Sequence, residues 1–213
     1  MKSRPAPPPE SAQAHLEAGL ALAASRKYEE ATDEYRKAIA LNPNFAEAFD
    51  AWGVALSDSG KAEESLEKFR KAVELNPDLA LAYTRLAINL NNLNKPKEAL
   101  EICERDARRL PASKEILYAW ALSLINLERY HEAIEKCQES VNLGPNWAEQ
   151  YYAWGRALTN LKRDEEAIAK YQKAGETAPK LPRLYVWWGF TLARQGKHEE
   201  AAEQYRKAAE LDP

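Results

Sequence analysis

The chain has 213 residues, with 30 basic and 33 acidic side chains, a formal net charge of −3 and 45% hydrophobic content. A general nucleic-acid binder would carry a basic stripe, so this balance argues against nucleic acid as the partner. No apolar run is long enough to cross a bilayer.

Residues 1–10, MKSRPAPPPE, lack the apolar middle region of a signal peptide. Their prolines favour an extended, solvated leader, assigned to 1–11, although such a tail is also a ligand type for small proline-recognition domains. From residue 12 onward the chain keeps one period. Prolines stand at 43, 77, 111, 145, 179 and 213, each 34 residues after the last. A fixed period of that size is the signature of a repeat architecture. It divides the chain into repeats at 12–45, 46–79, 80–113, 114–147, 148–181 and 182–213.

Equivalent positions agree in character. Gly19, Gly53, Ala87, Ala121, Gly155 and Gly189 are small, as are Ala31, Ser65, Ala99, Ala133, Ala167 and Ala201. Leucine recurs at 22, 56, 90, 124, 158 and 192, and a large apolar residue at Trp52, Leu86, Trp120, Trp154 and Trp188. A ring or thiol column runs Tyr35, Phe69, Cys103, Cys137, Tyr171, Tyr205. Apolar spacing inside each repeat is helical. A break near Gly60, Asn94, Lys162 and Gly196 gives two helices of about 14 residues, roughly 21 Å each. Second helices are expected to begin near 29, 63, 97, 131, 165 and 199.

These columns resemble the tetratricopeptide repeat, and AFDAWGVAL, QYYAWGRAL and YVWWGFTL are most similar to bacterial members of that family. The resemblance spans 12–213. It implies an all-α, right-handed superhelical α-solenoid of six antiparallel helix hairpins, read as one solenoid because each repeat buries its apolar face on its neighbours. It also implies a non-catalytic scaffold that binds a protein or peptide in the groove lined by first helices.

In the first repeat, His15 and Ala18 stand where later repeats carry rings, as a terminal repeat allows. His15 reads as a tolerant edge residue. The second and fifth repeats open with Asn44 and Glu47, and with Asn146 and Glu149, the spacing of a capping box. Pro96 falls in the first turn of its helix, where no N–H is needed. The third repeat places Asp106 in a column otherwise held by Ala38, Ala72, Ser140, Ala174 and Ala208. Together with Asn89, Ser123 and Ser140 it is expected to form a local hydrogen-bonded cluster, since buried polar groups need partners. Cys103 and Cys137 lie one repeat apart, about 10 Å, too far for a disulfide, and read as buried thiols suited to a reducing cytoplasm.

No catalytic motif is present. His131 and His198 occupy an ordinary helix-start position and lack a second histidine four residues on, so no metal site and no cofactor site are expected. The binding expectation falls on first helices. Tyr118, Tyr152, Arg156, Arg183, Trp187 and Phe190 give the C-terminal repeats an aromatic and basic surface, suited to a ligand with an acidic or carboxylate-bearing segment. One column runs Asp58, Asn92, Asn126, Asn160, Arg194; its asparagines either form a ladder for a peptide backbone or simply suit a helix end. Of the positions matching the carboxylate clamp of chaperone-tail relatives only Arg85 fits, the others being Leu16, Leu20, Ala51 and Leu81, so that function is not expected; Asp50 and Asp58 make the N-terminal half more acidic. Ala202, Tyr205 and Ala209 on the last helix form an apolar face. That face supports two alternative readings: a scaffold that self-associates through its ends, or a fragment of a larger enzyme or regulator.

Overall fold

The computed structural model describes residues 11–106 and 113–212, with the side chain of Asp106 outside the described part. Among the described residues there are twelve helices and no strand. The helices are α1 (Ala12–Ala24), α2 (Tyr28–Leu41), α3 (Ala46–Asp58), α4 (Ala62–Leu75), α5 (Ala80–Asn92), α6 (Pro96–Asp106), α7 (Lys114–Asn126), α8 (Tyr130–Leu143), α9 (Ala148–Asn160), α10 (Asp164–Thr177), α11 (Pro182–Arg194) and α12 (His198–Leu211). Every second helix starts one residue ahead of its expected position. The leader, 1–10, lies outside the described residues.

Each repeat turns at one left-handed residue: Arg26, Gly60, Asn94, Glu128, Lys162 and Gly196, with φ between 57° and 84°. The next residue's N–H then reaches back to the leucine column. Lys61 bonds the Leu56 carbonyl at 2.8 Å, and Arg129 bonds that of Leu124 at 2.8 Å. This six-to-one closure satisfies carbonyls that the helix end would otherwise leave bare. Only Gly60 and Gly196 take the conformation without a side-chain cost.

The chain divides into two compact units, residues 1–89 and 90–213, with the boundary inside α5. In the N-terminal unit, α1 packs on α2, α2 on α3 and α3 on α4, and α1 also meets α3. In the C-terminal unit the same stepwise packing runs from α6 to α12, and α7 meets α9 as α9 meets α11. The core of both units is a ring set into a gap. A Cβ on Gly53 would stand 2.7 Å from Cε1 of Phe69, and Cβ atoms on Gly19 and Gly155 would collide with Tyr35 and Tyr171. Those rings are buried to within 2%.

Among the described residues the polar deviations bond in separate pairs, and the buried Oδ1 of Asn89 has no partner. Asn89 donates to the Ala62 carbonyl at 3.0 Å and to Ser65. Ser123 instead accepts from Asn91 at 2.9 Å. Ser140 meets Gln150 Oε1 at 2.9 Å and donates to the Lys114 carbonyl at 3.0 Å. Asn89 turns toward α4 while Asn91, two residues on along α5, turns toward Ser123 on α7, so Asn89 and Ser123 find separate partners. The side chain of Asp106 falls outside the described residues.

The expected capping boxes do not form. Phe45 and Trp147 hold the cap positions of α3 and α9, and neither cap uses a side chain. Asn42 takes over the turn before α3, where its Oδ1 accepts the Asn44 N–H at 3.3 Å, and Asn76 does the same for Asp78 at 3.1 Å. An asparagine before proline can fold the linker as an Asx turn, which leaves Asn44 one residue too early to cap. His15 is also not an edge residue: it is buried and its Nδ1 lies 2.6 Å from Glu34 Oε2. Both cysteines are buried, and burial pushes the Cys137 thiol well above its ordinary pKa.

Candidate binding surface on the first helices

Helical spacing puts Tyr152, Arg156 and Asn160 on one stripe of α9, and Arg183, Val186, Trp187, Phe190 and Arg194 on one stripe of α11. The 34-residue period then sets the stripes side by side. Tyr118, Tyr152 and Val186 are equivalent, as are Leu122, Arg156 and Phe190.

The result is an alternating series of cations and rings within the C-terminal unit. Lys114 lies 5.6 Å over Trp147, and Trp147 meets Tyr118 edge-on at 5.1 Å. Arg183 donates to the Tyr118 hydroxyl at 3.4 Å and lies 5.2 Å from the centre of the Tyr152 ring. Arg156 lies 5.7 Å from that same ring and 5.0 Å from Trp187. Trp187 meets Phe190 edge-on at 5.9 Å, and Arg194 lies 5.8 Å from Phe190. Such contacts hold a guanidinium in place while leaving its N–H edge free to donate.

The charges along this series are not equivalent. Arg194 is spent: it pairs with Asp164, Nε to Oδ2 at 3.1 Å, and donates to the Thr159 carbonyl at 2.6 Å. Arg156 and Arg183 form no ion pair with a described carboxylate, Glu149 included. The Nε of Arg156 is buried and meets no acceptor. Tyr118 and Tyr152 are each only 4% exposed, so they serve as a floor. Burial, opposed by Arg183, pushes the Tyr118 hydroxyl up to about 12. Val186 and Phe190 are each 47% exposed and form the open apolar part.

The asparagines do not form a ladder. Asn160 donates to the Arg156 carbonyl of its own helix at 2.8 Å, Asn126 reaches Asn91 at 3.4 Å, and Asn92 is exposed. In the N-terminal unit Arg85 is bound to Asp50, whose carboxyl burial pushes up in pKa against the opposing pull of Arg85. The other oxygen of Asp50 has no partner. A cleft of about 550 Å³ in this unit is bordered by Arg26, Glu29, Asp33, Arg36 and Trp52. Within it Arg36 is paired with Asp33 at 3.1 Å, and Lys68 lies 4.2 Å over the Trp52 ring. On α12, Ala202, Tyr205 and Ala209 are exposed.

Sequence reasoning passed over Lys114, Trp147, Val186 and Asp164. The period itself pointed to Val186, which shares a column with Tyr118 and Tyr152. Trp147 sits in a linker, outside the helical stripes, and Asp164 is an acid at a helix-start position that holds Tyr28, Ala62, Pro96, Tyr130 and His198 in the other repeats.

Tetratricopeptide-repeat family models match residues 12–45, 46–79 and 182–213. The model for anaphase-promoting complex, cyclosome, subunit 3 matches residues 92–174. The chain belongs to the tetratricopeptide-repeat family. No curated protein matches this repeat protein. Among solved structures, the anaphase-promoting-complex assembly Cut9–Hcn1 is similar with a TM-score of 0.86 at 17% identity. There the repeat protein is covered over 97% of its length and spans 41% of the other chain. A tetratricopeptide repeat protein from Parabacteroides merdae is similar with a TM-score of 0.82 at 17% identity, over 100% of this chain and 83% of that one. YrrB, described as having an unusual peptide-binding site, is 26% identical with a TM-score of 0.54, over 84% and 92% of the two chains. The fold is therefore an all-α solenoid of helix hairpins, as the repeat period implies. No described helix is long and apolar enough to cross a membrane.

Proposed function

We propose that this repeat protein is a non-catalytic adaptor that holds a protein or peptide partner against the first helices of its C-terminal unit. The observation carrying this reading is the pair of guanidinium groups, Arg156 and Arg183, set against one Tyr152 ring with no carboxylate to neutralise them. Two uncompensated cations among rings suit a partner with an acidic or carboxylate-bearing segment, because arginine and aromatic residues dominate binding hot spots. The family's role as a protein-binding scaffold and the peptide site ascribed to YrrB support a peptide over a small molecule. The adaptor works in the cytoplasm, where its two buried thiols stay reduced.

The test is capture of the partner from an extract of the source cell, followed by titration of the purified partner. Arg156→Ala combined with Trp187→Ala weakens binding at least about tenfold, as expected for a hot-spot pair, while far-UV circular dichroism is unchanged. Full retention of binding by the folded double variant moves the site elsewhere.

A second reading rests on Tyr205. The ring column is exposed by no more than 2% at Tyr35, Phe69, Cys103, Cys137 and Tyr171, yet by 41% at Tyr205. Ala14, Ala18 and Ala21 on α1 are likewise exposed, whereas their equivalents Leu184 and Thr191 on α11 are fully buried. These two faces match the two halves of an ordinary contact between repeats, so a second copy of the chain is their fitting occupant.

A further inference from the structure

The α11 stripe has an order as well as a composition. Arg183 comes first, then the exposed Val186 and Phe190, then Arg194, whose charge Asp164 has already taken. A ligand along this helix therefore meets free positive charge at one end, open apolar surface next, and a neutralised cation beyond. Resting on the acidic-partner reading above, we infer that the partner is recognised through an acidic residue followed or preceded, three positions away, by a large apolar residue. The segment lies in polyproline-II conformation.

The spacing follows from helix geometry. Arg183 and Phe190 are seven residues apart, which at 1.5 Å per residue is about 10.5 Å. A polyproline-II segment repeats its side-chain direction every third residue, an advance of about 9.3 Å. A β-strand returns to the same face after about 6.7 Å or about 13.4 Å, and fits less well. A docked helix would need a row of anchors at i, i+3, i+4 and i+7, whereas α11 opens only Val186 and Phe190. Arg183 and Arg156 then receive the carboxylate, and Phe190, backed edge-on by Trp187, receives the apolar side chain.

The same surface is poorly arranged for single-stranded nucleic acid. Bases need open ring faces in succession and phosphates need a track of cations. Tyr118 and Tyr152 are buried, Arg156 lies over Trp187, and the two free arginines share one ring.

The experiment titrates the full chain with fluorescently labelled peptides that carry one Glu and one Leu in a proline- and serine-rich background. The Glu-to-Leu spacing runs from one to six residues, and a uridine oligonucleotide serves as competitor. The tightest binding is expected at a spacing of three, with Glu→Gln weakening it about tenfold, the scale of a lost charge-assisted contact. Phe190→Ser is expected to abolish the preference for spacing while Arg183→Ala abolishes the preference for Glu. If Glu-bearing peptides bind equally at every spacing, or if Phe190→Ser leaves the scan unchanged, the spacing rule is overturned and the acidic-partner reading stands. If no Glu-bearing peptide binds, or the oligonucleotide displaces them all, the reading itself falls and takes the rule with it.

Discussion

Cys103 and Cys137 look anomalous in a column of rings until their partners sixteen residues earlier are considered. Glycine stands opposite each ring, at Gly19 with Tyr35, Gly53 with Phe69, Gly155 with Tyr171 and Gly189 with Tyr205. Alanine stands opposite each thiol, at Ala87 and Ala121. The methyl group occupies the space the ring would need, and close-packed interiors transmit that volume difference directly. Cys137→Phe alone is therefore expected to lower stability by about 1–3 kcal/mol through overpacking. Adding Ala121→Gly recovers at least about 1 kcal/mol of it, a coupling that a double-mutant cycle in urea reads directly. Additive effects would mean that the two positions do not share one cavity. At this scale the sequence displayed the residue types but not their partners. His15 found Glu34 nineteen positions away, and Asn42, not Asn44, organised its turn because only the fold decides which asparagine faces the free N–H groups.

A second pairing at the same sixteen-residue offset joins first and second helices. Lys68 lies over Trp52 at 4.2 Å, Lys136 over Trp120 at 4.5 Å and Lys170 over Trp154 at 3.6 Å. Desolvation beside the ring lowers the pKa of Lys170. In the last hairpin the cation is missing: Gln204 faces the position, and both its Oε1 and the Nε1 of Trp188 are buried without partners. Gln204→Lys is expected to raise stability by about 0.5–1 kcal/mol, the usual worth of an ammonium over an indole. A thermal melt checks this, and a lower midpoint would show that the buried amide is better tolerated there than the ammonium. The helices themselves were legible almost to the residue, because leucine, turn and small-residue columns repeat without insertion. What the period did not reveal was how neighbouring first helices exchange side chains. Those contacts fall about one repeat apart, as in Asp50 with Arg85, Asn91 with Asn126 and Thr159 with Arg194. Consequently, which arginines keep a free charge became visible only once Asp164 and Asp50 were placed.

For the molecule as a whole, the period made the solenoid readable while the choice of partner stayed with a few side chains on one surface. The Tyr205 face bears on assembly. If a second copy covers it, the sedimentation coefficient rises with concentration, and Tyr205→Glu, which places a charge in the contact, suppresses that rise. A concentration-independent monomer for the parent chain would remove self-association. The central claim concerns the other surface, the first helices of the C-terminal unit, and hydrogen exchange reads it most directly. Backbone exchange of the full chain is followed by mass spectrometry with and without a saturating acidic partner. Slowed exchange is expected in α9 and α11, residues 148–160 and 182–194, with α8, α10 and α12 unchanged. Protection confined to those second helices, or to residues 11–89, would contradict the account.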